Sequence, residues 1–161
     1  MKSSKINDLV AEIYDELDNI KRLSVTVDET WRRLPKNKKN RGIYEESLAL
    51  KLHNFYTACE RIFCKISEDI NGGIPESKNW HKRILHQMTL ELKDIRPPVI
   101  SKKTELELIE YSGFRHVVRN IYGFEIKSDR LSHLVNESGR VIAMFCSEIE
   151  EFLKFLQKLK E

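Results

Sequence analysis

A chain of 161 residues, 40% hydrophobic and 33% charged, has the size of one domain and the composition of a soluble protein with a strongly charged surface. Its net charge of +3 permits RNA binding but is too mild to place it among the strongly basic nucleic-acid-binding domains. No apolar run approaches the ~20 residues that span a bilayer, and Met1-Lys2-Ser3-Ser4-Lys5 opens without a signal-peptide core, so a cytoplasmic protein without a membrane segment is expected.

Helical periodicity dominates from the start. Ile6, Leu9, Val10, Ile13, Leu17, Ile20 and Val27 recur at three-to-four spacing and predict a long first helix. Pro35 and the polar run from Lys36 to Gly42 predict a break, with Lys36, Lys38, Lys39 and Arg41 as a basic, solvated connector. A second long helix follows, with Leu48, Leu52, Phe55, Tyr56, Cys59, Ile62, Phe63, Ile66 and Ile70 on one broad face. Gly72-Gly73 and Pro75 end it.

Ser77 is the expected cap of a third helix that carries Trp80, Ile84, Leu85, Met88, Leu92 and Ile95 and stops at Pro97-Pro98. Ser101 or Thr104 starts the fourth, which runs through Leu108, Phe114, Val117, Val118 and Ile121 to Gly123. Ser128 caps the last, whose stripe is Leu131, Leu134, Ile142, Phe145, Ile149, Phe152, Leu156 and Leu159, with Gly139 interrupting the pattern. No hairpin dipeptide separates alternating runs. The expectation is an all-α, antiparallel bundle of four to five helices forming a single domain over residues 1–161.

Cys59, Cys64 and Cys146 are odd in number and form no CxxC pair, which points away from a disulfide framework or zinc site; Cys59 and Cys146 fall among apolar helical positions and read as buried thiols. No metal or other cofactor is expected. His81 and His86 are five apart, outside the i, i+4 spacing of a helical metal pair, and His81 beside Trp80 reads as a local hydrogen-bonding core residue. His53 carries no clear signal, and His133 reads as surface. The aromatics Phe55, Tyr56, Phe63, Trp80, Phe114 and Phe124 read as core packing rather than base-stacking platforms, with Tyr56 the one whose hydroxyl is placed to reach a site around Arg115.

The chemistry concentrates in Phe114–Phe124, where Arg115, His116, Arg119 and Tyr122 fall within about two helical turns ahead of Gly123. In an ideal helix Arg115 and Tyr122 project about 20° apart, Arg119 lies one turn after Arg115, and Asn120 points elsewhere. From spacing alone, a solvated basic face at a helix C-terminus is the simpler account, since cations there also favour the macrodipole.

The spacing Arg115, four residues, Asn120, one residue, Tyr122 resembles the R-x4-H-x-Y signature of HEPN-domain proteins of the HepT type. Leu52–Phe63 (LHNFYTACERIF), Asn79–Met88 (NWHKRILHQM) and Arg96–Ser101 (RPPVIS) are similar to a HepT-like branch, so the resemblance covers about residues 45–135. It implies a HEPN-like helical bundle that forms a homodimer with the two signatures facing a shared cleft. It further implies a metal-independent RNA endonuclease toxin, with tRNA among its substrates, paired with an MNT-type nucleotidyltransferase antitoxin. That antitoxin silences such toxins by transferring AMP to the signature tyrosine.

By position, Arg115 then holds the scissile phosphate, helped by Arg119 in binding RNA, and Tyr122 is the AMPylation target. Asn120 occupies the place of the family's catalytic histidine. An amide positions RNA but does not titrate, and proton transfer supplies a factor of roughly 10² to 10⁴. His116 lies about 100° around the helix from Arg115 and reads as polar support ahead of proton shuttle. Three readings therefore stay open, of which the first two are a ribonuclease using Arg115, His116, Asn120 and Tyr122 and a catalytically weak HEPN module that binds RNA or the nucleotidyltransferase. A plain helical dimerisation protein is the third.

Overall fold

The computed structural model describes residues 3–159; Met1, Lys2, Lys160, Glu161 and the side chain of Phe124 lie outside the described residues. Five α-helices follow in order: α1 Ser3–Arg32, α2 Lys38–Asp69, α3 Trp80–Gln87, α4 Lys102–Asn120 and α5 Ser128–Lys158. A 3-10 turn, Gly123–Glu125, joins α4 to α5. Among the described residues there is no strand, only an isolated antiparallel bridge between Leu92 and Arg96.

α2 is the central element, packed against the other four helices. Its apolar positions make the core: Leu48, Leu52, Phe55, Cys59, Ile62, Phe63 and Ile66 are all fully buried. α1 and α5 cover one side with the predicted stripes. Edge-to-face aromatic pairs join the helices, Phe55 with Tyr111 at 5.3 Å and Phe63 with Phe145 at 5.9 Å between ring centres. The Tyr111 hydroxyl, buried with them, donates to the Leu134 carbonyl at 2.8 Å. Cys59 and Cys146 are buried free thiols, and Cys64 is partly buried.

Beside the end of α4, which falls at Asn120 rather than Gly123, three boundaries differ from the sequence expectation. The basic connector is shorter, because the Asn37 side chain accepts from the Lys39 amide at 3.0 Å and starts α2 at Lys38. Lys38, Lys39 and Arg41 therefore belong to its first turn. The last helix runs unbroken through Gly139, and Ser128, its first residue, donates to Glu45 of α2 at 3.0 Å instead of capping its own helix.

The third difference is the largest. α3 ends at Gln87 rather than near Ile95, and its start at Asn79 carries no side-chain cap. The cause lies eight residues or more beyond the end. The buried Arg96 guanidinium donates to the carbonyls of Gln87, Leu90 and Pro97, each at 3.0 Å, and to Asn71 Oδ1 at 2.8 Å. The Met88 carbonyl is taken by the amides of Val99 and Ile100. Acceptors that would continue the helix are thus claimed by the returning chain, and Ile95 is left half exposed.

Candidate functional site

Three helices converge on one carboxylate. Glu60 sits in the apolar face of α2, one turn after Tyr56, and is 8% exposed. A charge at such a position is unfavourable unless it is paired and hydrogen-bonded. Arg115 of α4, 7% exposed, meets it as a two-pronged pair: Nη1 to Oε1 at 3.1 Å and Nη2 to Oε2 at 2.9 Å. Nη1 also approaches Thr57 Oγ1 at 3.5 Å. The Tyr56 ring lies beneath the guanidinium, 4.7 Å from its carbon to the ring centre.

The third member comes from α3. His81 Nδ1 lies 2.7 Å from the same Glu60 Oε2 that receives Arg115. Its ring is stacked on Trp80 with centres 3.6 Å apart. Glu60 therefore ties α2, α3 and α4 together at one point.

Burial pushes the Tyr56 hydroxyl up to about 12, with smaller influences from Ser112 and the neighbouring charges. That hydroxyl forms no hydrogen bond of good geometry, although Ser112 lies close enough to influence it. It is the ring of Tyr56, rather than its hydroxyl, that meets Arg115.

Beside this cluster runs a groove of about 1050 Å³ between α3 and α4. Lys78, His81 and Lys82 line one wall, and Arg115, His116, Arg119 and Asn120 the other. The acid among its lining residues is Glu105, which is engaged by His86 at 2.9 Å. Three exposed cationic side chains, Lys78, Lys82 and Arg119, along a groove whose lining carboxylate is occupied make a surface suited to an anionic ligand.

The sequence-predicted residues thus fall into two groups. Arg115, His116, Arg119 and Asn120 come together on the groove. Arg115 is not part of a solvated face; its guanidinium is drawn into the core by Glu60. His116, Arg119 and Asn120 are exposed, and the Asn120 amide donates to the His116 carbonyl at 2.7 Å across the last turn of α4.

Tyr122 does not share Arg115's helical face, because α4 ends at Asn120 and both Ile121 and Tyr122 are extended. Its side chain is 72% exposed and does not line the groove. Gly123 serves a close approach: a Cβ there would lie 2.6 Å from Cδ of Glu46.

Sequence reasoning missed Glu60, Lys78 and Lys82 and left His81 as core support. One signal was present for Glu60, a carboxylate in a face otherwise made of Phe55, Tyr56, Cys59, Ile62 and Phe63. Among the described residues no group of three or more His, Cys, Asp or Glu is arranged to hold a metal ion.

A family model described as HepT-like protein matches residues 47–156, which span every element of this site. No curated protein and no solved structure matches the chain. With more than half of its length matched, and an all-α bundle that agrees, the chain belongs to the HepT-like family of the HEPN superfamily.

Proposed function

We propose that this protein is a metal-independent RNA endonuclease toxin whose α3–α4 groove takes the RNA backbone. The observation that carries the reading is the groove itself, which collects Lys78, Lys82, Arg115 and Arg119 around His81, His116 and Asn120. Phosphates of a single strand would be neutralised by the exposed cations Lys78, Lys82 and Arg119, while Arg115, paired with Glu60, braces the floor of the groove.

The reading includes a nucleotidyltransferase antitoxin that transfers AMP to Tyr122. The exposed phenol supports this, since an acceptor must reach another protein's active site. In that step the Tyr122 oxygen bonds to the α-phosphorus of ATP, pyrophosphate leaves, and the phenolic proton passes to the antitoxin or solvent. The new phosphate places a negative charge two residues from Asn120, where it would compete with RNA for the same cations. A homodimer is also part of the reading, and Leu106 and Ile109 offer exposed apolar surface on α4.

The test is cleavage of tRNA and total RNA in EDTA by the protein and by Arg119→Ala and Lys82→Ala variants. Cleavage by the protein, weakened in the variants with a shallower salt dependence, supports the reading. Absence of cleavage refutes the nuclease and leaves the second reading, an RNA-binding module. Two observations favour that alternative: Arg115 has both terminal nitrogens on Glu60, and Asn120 replaces the family histidine. Intact mass after incubation with the antitoxin and ATP tests Tyr122, and no AMP increment, or one that survives Tyr122→Phe, removes that part.

A further inference from the structure

We propose that His81, oriented by Glu60, is the proton-transfer residue of the groove and fills the role that Asn120 cannot. The inference rests on the nuclease reading above and names a residue outside the signature.

The geometry assigns the ring's state on one side. Glu60 already accepts two hydrogen bonds from Arg115, so it is an ionised carboxylate with acceptor capacity only. His81 Nδ1 at 2.7 Å must then carry the hydrogen and donate. That fixes the tautomer of the neutral ring, with the lone pair on Nε2. Nε2 forms no hydrogen bond among the described residues. The side chain is 39% exposed and lines the groove, so the ring combines a buried, anchored edge with an accessible one. Trp80, stacked on its face, restricts rotation about the remaining axis.

Glu60 is a positioning residue in this arrangement. Its carboxylate selects the tautomer and would stabilise the imidazolium once a proton arrives. It also holds the Arg115 guanidinium and the His81 ring within about 6 Å of each other, since both bond the same oxygen. A phosphodiester lying along the groove would meet this base together with the exposed cations Lys82 and Arg119.

The step balances without a co-reactant beyond water. The RNA 2′-oxygen forms a bond to the adjacent phosphorus and its proton passes to His81 Nε2. The bond from phosphorus to the 5′-oxygen breaks, and that oxygen keeps the electron pair and takes a proton from water. The products are a 2′,3′-cyclic phosphate end and a 5′-hydroxyl end. The imidazolium then returns its proton to solvent.

The competing candidate is His116, on the opposite wall of the groove. Its side chain makes no contact with a carboxylate among the described residues, so nothing there selects its tautomer or steadies its charge.

The experiment compares single-turnover RNA cleavage in EDTA by the wild type, His81→Gln and His81→Gly, with His133→Gln on α5 as a surface control. RNA affinity is measured alongside, and imidazole is added to His81→Gly. The expected result is a loss in kcat of about a hundredfold or more for both variants. KM and RNA affinity should stay within a few-fold, and imidazole should partly restore His81→Gly in proportion to its concentration.

A merely structural role would reduce affinity or stability and would not respond to imidazole. Retained cleavage in His81→Gln, or a loss without rescue, overturns the assignment while leaving the nuclease reading intact. A wild type that does not cleave refutes the nuclease reading and this inference with it.

Discussion

Replacing Glu60 by Gln should destabilise the protein far more than a surface change would. The side chains of Glu60 and Arg115 are 10% and 8% exposed, so both charges depend on each other rather than on water. Breaking such a buried pair typically costs about 3–5 kcal/mol, because the surviving charge is left uncompensated. Two features reduce that figure here. The glutamine oxygen keeps one acceptor for Arg115, and the adjoining groove admits water to the guanidinium.

An expected loss of about 2–3 kcal/mol follows, which for a chain of this size lowers Tm by about 5–10 °C. Thermal unfolding followed by circular dichroism measures it. Set against the single variants Glu60→Leu and Arg115→Met, the double variant removes both charges together and should recover most of their summed loss, giving a coupling above about 1 kcal/mol. A Glu60→Gln variant within about 0.5 kcal/mol of wild type, or additive effects in the double variant, would show that the pair does not anchor the three helices.

Arg96→Met should cost about 3 kcal/mol, because three carbonyls and the Asn71 amide lose their donor; Arg96→Lys should restore less than half, since an ammonium cannot span the same set, as urea unfolding would show. Alkaline pH should weaken the fold through Tyr56. Burial holds its hydroxyl protonated up to about 12, against about 10 in the unfolded chain, so the contribution is complete below pH 10 and is lost as pH rises through 12. Stability curves between pH 8 and 12 should fall by up to about 2–3 kcal/mol, and the fall should shrink in Tyr56→Phe. Gly123→Ala should change Tm little, because the obstructing atoms belong to the end of the exposed Glu46 side chain, which can swing away; a loss above about 2 kcal/mol would mean that the turn itself requires glycine.

The helices were legible where their information is local. The stripes of α1, α2 and α5 repeat every three to four residues, and Gly72 and Gly73, with positive φ of 87° and 132°, end α2 as their position suggested. The end of α3 was not legible, because Arg96 acts on carbonyls six to nine residues earlier and on Asn71, 25 residues away. The same distance effect governs the site. Arg115 looked like part of a solvated face because its partner lies 55 residues upstream on another helix. The basic groove was half visible: the α4 wall stood in the signature, whereas Lys78 and Lys82 gain meaning only when α3 folds beside it. Tyr122 was misplaced by a single turn, since Gly123 reads as the end of a helix that in fact stops at Asn120.

The connector from Met88 to Ile100 has the outline of a loop and the bonding of something firmer. Arg96 reaches four acceptors within it and beside it, and the amides of Val99 and Ile100 return to Met88. Such a stretch should resist proteases that cut ordinary loops, with Lys93 a slow site despite its exposure, and its inner amides should exchange with solvent as slowly as those of a helix. The eight-residue α3, too short to hold itself, is thereby clamped at its far end. One guanidinium does for that wall of the groove what an additional turn of helix would otherwise have to do.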